Sequence, residues 1–236
     1  MRALLYGIGL QFKLDIRSKS MLITCYLVPI VFFLFMGGIF TSVDPTATKT
    51  LVSSMTVFTI TMSALMGLPP AIAEIYGTDV KKVYKANGAP IWFGVLTQFI
   101  SSFIHTLIVC LIVLALSPLI FKAELPSGLL WYFLSLIALL AVTLAIGCII
   151  GLLIKQQAKL TMIAMIIFLP SIMLSGIMFS AEMLPQFMQY IAYAMPATIA
   201  FKAMTSFEVW HLPVLFGIFI ILCAVIALLL KFKVKR

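Results

Sequence analysis

At 236 residues, 64% of them hydrophobic and only 10% charged, the chain carries more apolar surface than one water-facing core can hide. Its mean hydropathy of +1.22 makes lipid the natural solvent. The net charge of +9 lies between apolar runs and is not gathered on one domain, which argues against nucleic acid and for a charge pattern that orients a membrane protein.

In chain order, residues 1–18 come first. Leu5, Ile8, Phe12 and Ile16 recur at helical spacing, with Arg2, Lys13 and Arg17 on the other face. That pattern predicts an amphipathic helix lying in the membrane interface. A plainer reading is ordinary flanking charge ahead of a span. Six apolar stretches then follow, at about 21–40, 51–73, 92–121, 128–154, 160–180 and 212–230. Each reaches the length of about 20 residues that a crossing helix needs, and the third and fourth are long enough to tilt or project from the membrane. The expected fold is therefore an all-α membrane protein of six transmembrane helices in a single domain. The first stretch is too long for a secretory h-region and lacks a clear small-x-small site, so it reads as a retained helix.

Six crossings put both termini on one side. With the termini inside, 13 Lys and Arg residues are internal: Arg2, Lys13, Arg17, Lys19, Lys81, Lys82, Lys85, Lys155, Lys159, Lys231, Lys233, Lys235 and Arg236. Only Lys49, Lys122 and Lys202 are external. The imbalance favours cytoplasmic termini.

Residues 75–90, IYGTDVKKVYKANGAP, form a polar island between the second and third stretches. Gly77 breaks the preceding helix, and Thr78 or Asp79 can cap a short new one, 78–88. Val80, Val83 and Tyr84 share one face, ringed by Lys81, Lys82 and Lys85. Asn87-Gly88 stops the helix and Pro90 opens the next. The pattern fits a docking helix with an aromatic face, and equally a polar loop that obeys the positive-inside rule.

Glu74, Gly77-Thr78, the Lys81-Lys82 pair and Pro90 resemble the loop after the second span of ABC-2-type transporter permeases. A later stretch, residues 174–204, is similar to the same family's segment between spans five and six. Its matching features are Ser175-Gly176, Phe179, Glu182, Leu184-Pro185, Pro196 and Lys202. The resemblance implies that Thr78, Asp79, Val80, Lys81, Lys82, Val83 and Tyr84 form a coupling helix seated in a cytoplasmic ABC ATPase. It implies re-entrant helices over 181–205, with Glu182, Pro185 and Pro196 at an external gate. It also implies two permease copies, as a homodimer or heterodimer, in a plasma membrane of bacterial type. ATP and Mg would sit on the partner ATPase, with no cofactor in this chain.

Residues for a substrate path are sought in the second and fifth spans, which the family places near the dimer interface. Thr56, Thr59 and Ser63 sit at helical spacing; such hydroxyls either line a cavity or bond back to their own helix. Met62 and Met66, with Met165 and Met173, are either a flexible surface for varied apolar cargo or common filler. The expected cargo is hydrophobic or amphipathic: a drug, a membrane-active peptide or a lipid-like molecule. His105 is an ionisable group deep in a span, suited to a proton relay or to a neutral bond between helices. Gly147-x-x-x-Gly151 permits close helix packing, within one protomer or between two.

No G-x-x-x-x-G-K-[ST] occurs, so the chain does not bind ATP through a P-loop. Cys25, Cys110, Cys148 and Cys223 are scattered through apolar stretches, unlike a disulfide framework or a metal site. No nucleophile–base arrangement points to an enzyme. The rival functions are a polysaccharide-exporting permease, an ion-coupled transporter without an ATPase, and a membrane scaffold or immunity protein.

Overall fold

The computed structural model describes residues 2–78, 86, 88, 90–178, 184–206 and 210–235. The described residues form nine helices and no strand. Lipid offers backbone groups no hydrogen bonds, so long apolar runs satisfy their own as helices. Helix α1 covers Arg2–Arg17, and Ser18 turns the chain at φ −78°, ψ 108° into α2, Lys19–Val43. Then come α3 (Leu51–Gly77), α4 (Trp92–Phe121) and α5 (Leu129–Leu153). They are followed by α6 (Gln157–Met173), α7 (Gln186–Ala194), α8 (Pro196–Ser206) and α9 (His211–Lys235).

Five of these helices are long and apolar enough to cross a membrane: α2, α3, α4, α5 and α9. The stretch expected as the fifth span, 160–180, forms a helix only over Gln157–Met173, 17 residues. At about 1.5 Å per residue that is about 25 Å, against about 30 Å of hydrocarbon. The chain leaves the helix at Leu174, where Ser175 Oγ donates to Ile172 O at 2.7 Å and Gly176 takes φ 85°. Glycine alone adopts such a φ without steric cost.

Helices α3 and α5 form the centre. Within their most apolar stretches, 83% and 72% of residues are buried, against 11% for α9. Their seam depends on two glycines. A Cβ on Gly147 would lie 2.6 Å from Ala64 O, and one on Gly151 2.6 Å from Pro69 O. The Gly147-x-x-x-Gly151 face therefore packs within the protomer, backbone against backbone.

Two helices are not α-helical throughout. In α2 a π turn spans Ile23–Leu27, just before Pro29; in α3 another spans Ser63–Gly67, before Pro69-Pro70. The cause is proline, which has no N–H for the carbonyl four residues back. Cys25 O, which an ordinary residue 29 would serve, instead receives Ser63 Oγ at 3.5 Å. A Cβ on Gly67 would meet Cys25 Sγ at 2.6 Å, so the two irregular turns are packed against each other.

Asp44 ends α2 and caps the 3-10 turn Pro45–Lys49, accepting from Thr46 N at 2.8 Å and Thr46 Oγ1 at 2.7 Å. These bonds to the ionised form hold its carboxyl below the usual value.

Candidate functional site

Helix α1 lies against α4 through one face. Gly7 admits the Phe93 ring, whose Cζ would be 2.5 Å from any Cβ there. Phe12 stacks on His105 with centroids 4.3 Å apart, and Tyr26 OH lies 2.6 Å from His105 Nδ1. One turn further on, Asp15 is buried. Its carboxylate accepts from Ser101 Oγ at 2.5 Å, Gln11 Nε2 at 2.9 Å, and Gln98 Nε2 at 3.2 Å and 3.4 Å. Gln98, Ser101 and His105 sit at helical spacing on α4, so one face of α4 receives one face of α1.

The expected apolar stripe divides between two environments. Ile8 and Phe12 turn inward, but Leu5 and Ile16 are exposed, 69% and 45%. The inward face carries Gln11 and Asp15. In lipid the usual amphipathic rule is inverted, because apolar side chains can face the solvent and polar ones need protein. Asp15 was the missed residue, and its signal was an acid four residues after Gln11 in an otherwise basic helix.

Helices α1, α2, α3 and α6 enclose a groove of about 880 Å³. From α3 come Met62, Met66, Pro70 and Glu74, a stripe four residues apart; from α6 come Met165 and Phe168. Asp15 and Gln98 line it on the α1 side, and both π turns contribute, through Thr24 and through Leu65 to Gly67. Irregular backbone at this depth is tolerated where it lines a cavity.

The expected path residues divide between two faces. Met62, Met66 and Met165 line the groove, while Met173 is exposed elsewhere. Thr56, Thr59 and Ser63 are buried inside the protomer. Thr56 Oγ1 pairs with Tyr132 OH at 2.6 Å, Ser63 reaches Cys25 O, and Thr59 Oγ1 has no hydrogen-bond partner among the described residues.

At the island, Thr78 is exposed and Oγ1 donates to Glu74 O at 2.7 Å, ending α3. Asp79, Val80, Lys81, Lys82, Val83 and Tyr84 lie outside the described residues. Gly88 takes φ 68°, a left-handed value that suits glycine. Tyr76 was not singled out for a role, yet its hydroxyl donates to Ile91 O and accepts from Val95 N at 3.1 Å. It thereby ties the end of α3 to the start of α4, clamping both roots of the loop.

Glu182 and Phe179 also lie outside the described residues. Pro185 precedes α7 and Pro196 opens α8, so the segment expected to be re-entrant contains two short helices with a break at Met195. Lys202 Nζ sits 4.0 Å over the Tyr193 ring.

All four cysteines are free, and no group of three or more metal-type ligands occurs among the described residues. Comparisons with curated proteins and with solved structures found no match. A family model described as ABC-2 type transporter matches residues 6–209, a span running from α1 through α8. The chain belongs to the ABC-2 type transporter family and is a membrane-spanning permease component, a transport subunit and not itself a catalyst.

Proposed function

We propose that this chain is the membrane half of an ATP-driven exporter of hydrophobic or amphipathic cargo. The groove carries the reading: thioethers of Met62, Met66 and Met165 give an adaptable apolar wall beside a few polar groups. Phe168 is the one aromatic residue lining it among the described residues, which weighs against the aromatic rows that sugar export would favour. In this reading α6 is the fifth of six crossings, with both termini cytoplasmic. ABC-2 permeases generally work with an ATPase subunit. Here that partner holds ATP and Mg, a second permease copy completes the pathway, and the 181–205 segment gates the outer end.

Coupling would run through residues 78–88. The Tyr76 clamp supports this role, since a push on the loop meets α3 and α4 together. The test is co-purification of the full chain with its ATPase from mild detergent. Replacing Val83 and Tyr84 by Asp should abolish the association while leaving the chain folded. Unchanged co-purification would remove the docking role.

One feature favours an ion-coupled transporter instead: the Tyr26–His105 pair lies at the same helix contact as Asp15. Transport into liposomes driven by an ion gradient, with no ATPase present, would establish that alternative.

A further inference from the structure

The groove contains an acid that has no basic partner among the described residues. Every hydrogen-bond partner of Asp15 is neutral: Gln11, Gln98 and Ser101. Among the described residues no lysine, arginine or histidine lines the groove, although the chain as a whole carries +9. Glu74 stands in the same lining as a second acid. A buried carboxylate without a counter-charge is costly, and a bound cation would offset that cost.

A second observation lies next to the first. Gln98 is fully buried and lines the groove; its Nε2 serves Asp15, and its Oε1 has no hydrogen-bond partner among the described residues. Asp15 itself accepts four bonds from three neutral donors, two on each oxygen, the longest being those from Gln98 Nε2 at 3.2 Å and 3.4 Å. An unpartnered amide oxygen beside a carboxylate held only by neutral donors suits the donors of an ammonium group.

We propose that the groove takes a cationic amphiphile, its ammonium head on Asp15 and Gln98 Oε1 and its apolar body along Met62, Met66, Met165 and Phe168. Glu74 adds to the negative field that draws the head in. Salt bridges and hydrogen bonds fix the head, and the methionines accept tails of varied shape. Anionic lipids and acidic peptides are disfavoured by the same field. The inference rests on the export reading for its direction of travel, but the binding site itself needs neither ATP nor the ATPase.

The experiment is therefore binding to the purified full-length permease alone. The probe is a dansyl-labelled long-chain diamine with one free ammonium, compared with its N-acetylated neutral form. The wild type should bind the cation at least about tenfold more tightly than the neutral form. Asp15→Asn should remove most of that preference while changing the neutral form's affinity less than about twofold. Because Asp15 also holds α1, Glu74→Gln provides the second variant: its side chain is exposed, and the preference should fall by a smaller factor. Equal affinities for both probes in the wild type would overturn the proposal, as would equal losses of both in Asp15→Asn. Such failure would leave the export reading standing if ATPase association persisted. Cation-selective binding without any ATPase dependence of transport would instead keep the site and overturn the export reading.

Discussion

The two faces of α3 have opposite characters. Toward α5 the helix is sealed: Thr56 meets Tyr132, and Gly147 and Gly151 press onto its carbonyls. Toward α1 and α6 the same helix presents Met62, Met66, Pro70 and Glu74 to an open groove. One face relies on close backbone approach and matched hydrogen bonds. The other presents flexible side chains and an exposed acid, Glu74. The contrast separates what must be fixed for the fold from the face to which the proposed function assigns cargo.

Breaking the sealed face should have the largest effect. A Cβ at position 151 meets backbone and the stem of Ile72, 2.6–2.7 Å away, which cannot swing aside. Gly151→Val should destabilise by about 1–3 kcal/mol or more, read as a lower thermal midpoint in detergent. A wild-type midpoint would mean that the seam is looser than described. Next comes Tyr132→Phe, which strands Thr56 Oγ1 in the interior. A loss of about 1 kcal/mol is expected, within the range of hydrogen bonds between membrane helices. No loss would show that Thr56 bonds back to its own helix.

The open face should respond differently. Met66→Ala should cost less than about 1 kcal/mol of stability, because the side chain is only half-buried at a groove wall. It should change which cargo lengths are carried, measured by competition between long and short amphiphiles. A large stability loss with unaltered cargo choice would erase the distinction between the faces.

The smallest effect belongs to Asp44, which lies on neither face. Its folded carboxyl titrates below the usual 3.8, chiefly through the bonds from Thr46. Its contribution is therefore present above the unfolded value and disappears as pH falls through the lower folded one. The group is fully exposed, so Asp44→Asn should move the midpoint barely, and only above that pH. A marked effect at pH 7 would mean that the turn supports more of the fold than its exposure suggests.

The crossings were legible because length and hydropathy decide them; 92–121 forms α4 as expected. The short α6 was not, because Ser175 and Gly176 end a helix that hydropathy alone would continue to 180. The methionines of the groove could be read from their clustering. The Thr56 partner could not, since Tyr132 is 76 residues away along the chain. Asp15 was not legible either. The reading of α1 turned on its apolar stripe, and Gln98 and Ser101, the partners that bury Asp15, are 83 and 86 residues away along the chain. The coupling face of Val80, Val83 and Tyr84 remains a reading of sequence and family.

The central claim is that cargo crosses through this groove on energy from a separate ATPase. Its most direct test is transport in proteoliposomes holding the permease with either an active or a hydrolysis-dead partner. The account predicts ATP-dependent movement of the amphiphile with the active partner and none with the dead one. Undiminished movement by the permease alone would contradict it.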